Sequence, residues 1–187
     1  MTTLPPFDLE GVLPKGDYPM TLSELRHSHL VRGLNPASTW DADWRERLVD
    51  HLEFIVNQLW AGGITEIFID GSFVENKDHP HDIDGYFECG KRDFLTGNLE
   101  RRLNSLSPDK LWTWDPALRR FSGSTGKSQL PMWHLHRVDM YPHYGQICGV
   151  RDAYGQDMLF PSLFRTMRYR NRQKGIVKLV HRPTGDP

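Results

Sequence analysis

The chain has 187 residues and nearly balanced charge, 23 Lys+Arg against 24 Asp+Glu. This suits one domain with a sizeable core and provides no global field that would demand a nucleic-acid partner. Cys89 and Cys148 are the only cysteines, too few for a disulfide framework or a zinc spacing. With no signal-type start and no apolar run near about 18 residues, a soluble, cytoplasmic protein without membrane contact is expected.

Residues 1–20 contain Pro5, Pro6, Pro14 and Pro19. Proline fixes φ and removes a donor, so this stretch reads as an extended arm lying against the body. Thr21-Leu22-Ser23-Glu24 forms a capping box that opens a short helix to about Arg32. From Asp41 to Trp60 the apolar residues Trp44, Leu48, Leu52, Ile55 and Leu59 recur at helical steps, and Gly62-Gly63 ends the helix. Strands are expected over about 64–69 and 82–89. A helix is expected over 92–106 with Leu95, Leu99, Leu103 and Leu106 inward, weakened by Gly97. Further strands are expected over 111–114 and 134–141, with a polar loop over 122–131 and a helix or helix-strand pair from Leu159. Trp112, Trp114 and Trp133 are read first as core. The chain reads as a single domain spanning 1–187.

The densest chemical signal is Asp70-Gly71-Ser72, nine further residues, then Asp82-Ile83-Asp84. A strand period of two puts Asp82, Asp84, Tyr86 and Glu88 on one face. Adjacent carboxylates repel, so such a pair takes a cation or raises one pKa. Gly71 lets the backbone approach a phosphate, and Ser72 can donate to its oxygens. Lys77 in the same loop is either a point charge for a terminal phosphate or a solvated lysine. Asp139 is the third acid if its strand lies beside that of Asp82; the rival reading pairs it with Arg137. Three carboxylates can hold two Mg²⁺ ions about 3.5–4 Å apart, and Mn²⁺ can substitute. A rival metal set is histidine-based (His79, His81, His134, His136), which would suit a phosphohydrolase.

Two basic features complete the reading. No acidic residue lies between Met158 and Gly185, while Arg165, Arg168, Arg170, Arg172, Lys174, Lys178 and Arg182 all do. This stripe over 158–187 can meet phosphates or form solvated surface. Gly123-Ser124-Thr125-Gly126-Lys127-Ser128 ends like a phosphate-binding loop, but Phe121 stands where that motif needs glycine. It reads as a loop over the site or away from it.

The block from Ile69 to Asp84, with Asp139 on a later strand, resembles the DNA polymerase β-like nucleotidyltransferase superfamily. More narrowly, it resembles a minimal, stand-alone bacterial group of nucleotidyltransferase-like proteins. Leu4-Pro5-Pro6-Phe7, Gly11 to Gly16 and Lys174-Gly175-Ile176-Val177 also resemble that group. The resemblance implies an α+β fold, a small mixed β-sheet flanked by helices, with Gly71 and Ser72 on an NTP triphosphate, Asp82 and Asp84 on both metals, and Asp139 completing one metal site and helping to activate an acceptor hydroxyl. It further implies transfer of a nucleoside monophosphate to RNA or tRNA, a protein or a small molecule, in a toxin-antitoxin or phage-defence setting. The alternative is a nucleotide-binding module without chemistry. Phe73-Val74 stands where many minimal members carry arginine. Asp70 stands where they commonly have an apolar residue, and it either opposes phosphate or acts as an additional acid.

Overall fold

The computed structural model describes residues 4–34, 39–167 and 172–181. Its centre is a five-stranded mixed sheet built from β1 (Asp17–Met20), β2 (Ile67–Asp70), β3 (Ile83–Glu88), β6 (Val138–His143) and β9 (Ile176–Leu179), in the order β1-β9-β2-β3-β6. β2 runs antiparallel to β3 and β9, whereas β3–β6 and β1–β9 are parallel. Two small hairpins stand outside it, β4 (Arg120–Ser122) with β5 (Lys127–Gln129), and β7 (Ile147–Arg151) with β8 (Asp157–Leu159).

The helices are α1 (Leu22–His27), α2 (His29–Arg32), α3 (Ala42–Ala61), α4 (Lys91–Leu95), α5 (Asn98–Leu106) and α6 (Pro131–His136). The Thr21 capping box is present with both hydrogen bonds, and Ser28 divides the first helical stretch in two. α3 is the main buttress. Its Leu48, Leu52, Ile55 and Leu59 are fully buried in one cluster with Ile67, Ile69, Ile83 and Phe87 of the sheet. Each such side chain contributes about 1.5–3 kcal/mol relative to exposure. The sheet's opposite face carries Phe68, Tyr86 and Ile176, packed with Phe160 and Phe164.

Several expectations are corrected. Gly97, at φ +70°, breaks the 92–106 stretch into α4 and α5, leaving Leu95 63% and Leu106 42% exposed. Residues 111–113 are buried and Trp114 partly so, but they pair in no strand, and Trp112 donates instead to Gln58 at 2.6 Å. The expected 134–141 strand starts only at Val138, because Pro131 opens α6 and Arg137 caps it at φ 54°. Arg137 lies over the Trp133 ring at 3.9 Å, so it is not the strand partner of Asp139. The N-terminal arm ends as an edge strand, where the missing N–H of Pro19 is tolerated. Among the described residues after Leu159 there are a short 3-10 turn (Phe160–Leu163) and β9, and no α-helix. Arg168, Arg170 and Arg182 lie outside the described residues. Among the described residues no helix is long and apolar enough to cross a membrane.

Candidate metal centre

Strand register assembles the acids. Asp70 on β2 pairs across to Asp84 on β3, and Asp84 pairs across to Asp139 on β6. Side chains in register share a face, so three aspartates form a row across three strands. Asp82 stands two residues before Asp84 on the same face. One carboxylate oxygen from each of Asp82, Asp84 and Asp139 lies within 4.8 Å of the others, and among the described residues this is the one group of three or more potential ligands with that proximity. The three residues expected from the sequence thus converge.

Their neighbours fix them. Trp133, 1% exposed, donates its indole N–H to Asp82 Oδ2 at 2.7 Å. Gly71, at φ +73°, opens a 3-10 turn over Gly71–Val74; a Cβ there would meet Asp84 Oδ2 at 2.1 Å. The glycine is therefore required both by its backbone angle and by the carboxylate beside it. The loop that follows is held by Arg45 of α3, a fully buried guanidinium. It donates to the carbonyls of Leu30 at 2.6 Å, Phe73 at 2.7 Å and Glu75 at 3.2 Å, and to that of Lys77.

Burial raises the pKa of Asp84 and Asp139 above the ordinary carboxylate range. For Asp139 burial acts first and Asp82 second, Arg119 opposes both, and the result is about 7. Asp84 is pushed up by burial, then by the charges of Asp82, Asp139 and Asp70, with Lys174 opposing. Asp139 Oδ1 is shielded from solvent and has no hydrogen-bond partner among the described residues. A buried acceptor left orphaned is costly, and a cation would resolve it. The donor set is entirely carboxylate oxygen, the chemistry that suits Mg²⁺ or Mn²⁺. The residues fit such ions.

Asp70 behaves differently. It is 3% exposed and lies 3.0 Å from the ammonium of Lys174, which also meets Glu75 at 2.6 Å. Burial pushes Asp70 up to about 7 even though Lys174 opposes it. Asp70 is thus an acid with an internal counter-ion. Sequence reasoning assigned Lys174 only to a basic stripe. The described cations of that stripe are paired: Arg165 with Asp17, Arg172 with Asp8 and Glu10, Lys174 with Asp70 and Glu75, and Lys178 with Glu66. Where it is described, the stripe is structural.

A cleft of about 1070 Å³ opens onto the acids. Ser72 and Lys77 line it as expected, and so do His81, Lys174 and the Ser124–Lys127 hairpin tip. The other histidines do not converge on the acids. His79 stacks on Trp44 and meets Asp41 at 2.8 Å, His134 contacts the Arg120 carbonyl, and His136 stacks on Phe54. Arg45 and Trp133 were also missed as site residues. For Arg45 a signal existed, since it occupies the 45-48-52-55-59 stripe of α3, where a lone charge among apolar residues needs buried acceptors.

No curated protein and no solved structure matches the chain. A family model does match, over residues 5–180, and its description is "Family of unknown function (DUF6932)". Since the match covers nearly the whole sequence, the chain belongs to the DUF6932 family.

Proposed function

We propose that the protein is a Mg²⁺-dependent nucleotidyltransferase on a polymerase β-like fold, moving a nucleoside monophosphate from an NTP to an acceptor hydroxyl. The observation that carries the reading is the convergence of Asp82, Asp84 and Asp139 beside a Gly71–Ser72 turn packed onto Asp84. The mixed sheet that brings the turn and the acids together is the arrangement the sequence resemblance implies.

In this reading the Gly71 N–H and the Ser72 hydroxyl donate to the triphosphate, and Lys77 offsets its terminal charge. Arg45 keeps that loop in place through its carbonyls. Asp82, Asp84 and Asp139 would hold two Mg²⁺ ions, or Mn²⁺ in their stead, which supply electrostatic stabilisation of the pentavalent phosphorus and of the leaving pyrophosphate. Asp139 would also accept the proton of the attacking hydroxyl, since one of its carboxylate oxygens has no hydrogen-bond partner among the described residues. The bond formed joins the acceptor oxygen to the α-phosphorus, and the bond broken releases pyrophosphate. Trp133 holds Asp82 in one rotamer by its 2.7 Å hydrogen bond.

The test is incubation with each α-³²P-labelled NTP, Mg²⁺ and a lysate containing RNA and protein, alongside Asp82→Ala and Asp84→Ala. The proposal expects label in RNA, protein or a small molecule only with the intact aspartates. Label equal in the variants contradicts it. Nucleotide binding without transfer would instead identify a binding module.

A further inference from the structure

The hairpin formed by β4 and β5 is the one conspicuous sequence motif that the reaction above leaves unused. Its six-residue Gly-Ser-Thr-Gly-Lys-Ser run does not form the strand-to-helix loop of a nucleotide-binding P-loop. It turns at Gly123–Gly126, closed by Gly126 N–H donating to the Ser122 carbonyl at 2.9 Å. Ser124, Thr125 and Lys127 line the same cleft as the three carboxylates. The hairpin is tied to the acid-bearing strand, because Arg119 donates to the Ser128 carbonyl at 3.1 Å and to the Tyr141 hydroxyl at 3.3 Å. Tyr141 follows Asp139 by two residues on β6, so the tip is held relative to the acids.

The tip has donors to offer. Thr125 Oγ1 is shielded from solvent and has no partner among the described residues. The Lys127 ammonium likewise makes no ion pair among them, in contrast to the described cations of the C-terminal stripe. Gly123 has an ordinary φ, and a Cβ on it would meet nothing within 4 Å. Neither the turn nor internal packing therefore demands glycine there; a bare backbone leaves room for a ligand. Between Asp115 and Asp139 the chain has Arg119, Arg120, Lys127 and Arg137 and no acid. Of these cations Lys127 lines the cleft that the carboxylates also line, in a protein of net charge −1. An anion can bind beside it when cations screen the acids.

We infer that the hairpin tip Ser124–Lys127 is a second phosphate-binding element, and that it holds a phosphate ester of the acceptor. The acceptor role rests on the nucleotidyltransferase reading, whereas the phosphate binding does not. With the Gly71–Ser72 turn assigned to the NTP, the hairpin tip on the same cleft serves the other substrate. That substrate is a nucleotide, as a nucleic-acid strand or as a mononucleotide.

Binding of a short fluorescein-labelled single-stranded RNA, read by anisotropy over a salt series without NTP, tests this. Lys127→Gln is expected to weaken binding about tenfold and to lower the salt slope by about one. Thr125→Val is expected to weaken it less, and Lys91→Gln, an exposed charge outside the cleft, not at all. Affinity for a fluorescent ATP analogue with Mg²⁺ should be the same in all of them. Unlabelled AMP competing with the RNA would mark a mononucleotide ligand, and failure to compete would mark a strand; either supports the inference. RNA binding unchanged in Lys127→Gln overturns it. So does an equal loss of ATP-analogue affinity, which would place the hairpin in the NTP site. A Lys127-dependent RNA affinity in a protein that transfers no nucleotide would keep the hairpin assignment and refute the catalytic one.

Discussion

At one end of the carboxylate row Asp70 lies 3.0 Å from a buried ammonium that the chain itself supplies; at the other, Asp139 keeps an oxygen with no partner. The two acids stand on either side of Asp84 in the same cross-strand register, and burial raises both to about 7. The difference is the origin of the counter-charge. Lys174 neutralises Asp70 from within the fold, with Glu75 sharing the ammonium at 2.6 Å. The cation opposing Asp139 is Arg119, already engaged with Ser128 and Tyr141, and the one opposing Asp84 is Lys174, already shared by Asp70 and Glu75. A cluster left short of positive charge on the wall of a cleft is arranged to receive it from outside.

The largest effect should come from breaking the neutralised end. Lys174→Met leaves a buried carboxylate without its ion and should cost about 4 kcal/mol near neutral or higher pH. The cost should shrink in acid, where Asp70 protonates, and urea unfolding across pH measures both. An equal cost at all pH values would mean that the ammonium serves packing alone.

The other end should respond in the opposite sense. The folded-state pKa of Asp139, about 7, lies above the unfolded value of about 3.9. Its contribution to stability is therefore full below about 3.9 and lost as pH rises to about 7. Without divalent cations, Asp139→Asn should be more stable than wild type by up to about 4 kcal/mol above that window, and no more stable below it. Adding Mg²⁺ should stabilise the wild type selectively. A variant less stable at every pH would show that Asp139 is a structural acid.

The smallest effect is expected at the turn beside the acids. Gly71→Ala meets both a positive φ and the Asp84 carboxylate, so about 1 kcal/mol of stability and about tenfold in cation affinity should be lost. Thermal unfolding with and without Mn²⁺ separates the two.

How much of this is legible in the sequence follows from where each signal lies. α3 is visible because its stripe is periodic, and Asp82 and Asp84 because strand spacing is local. The placement of Asp139 rests on a conditional, that its strand lies beside β3; the parallel β3–β6 register supplies it. The helical start at Pro131 was lost because His134, His136 and Val138 alternate like a strand, while the proline at the first turn and the left-handed Arg137 decide otherwise. The pairing of Asp70 with Lys174 joins residues 104 positions apart, and no local pattern announces it. For Arg45 the apolar stripe of α3 signals a buried charge, but not its partners, which are backbone carbonyls of α2 and of the Gly71–Lys77 stretch.

The most direct measurement is titration of Mn²⁺ into wild type, Asp84→Asn and Asp70→Asn, reading free Mn²⁺ by electron paramagnetic resonance. The account predicts saturable binding to wild type, little change in Asp70→Asn, and about a hundredfold or greater loss in Asp84→Asn. Absence of saturable binding in wild type, or equal binding by Asp84→Asn, would contradict it.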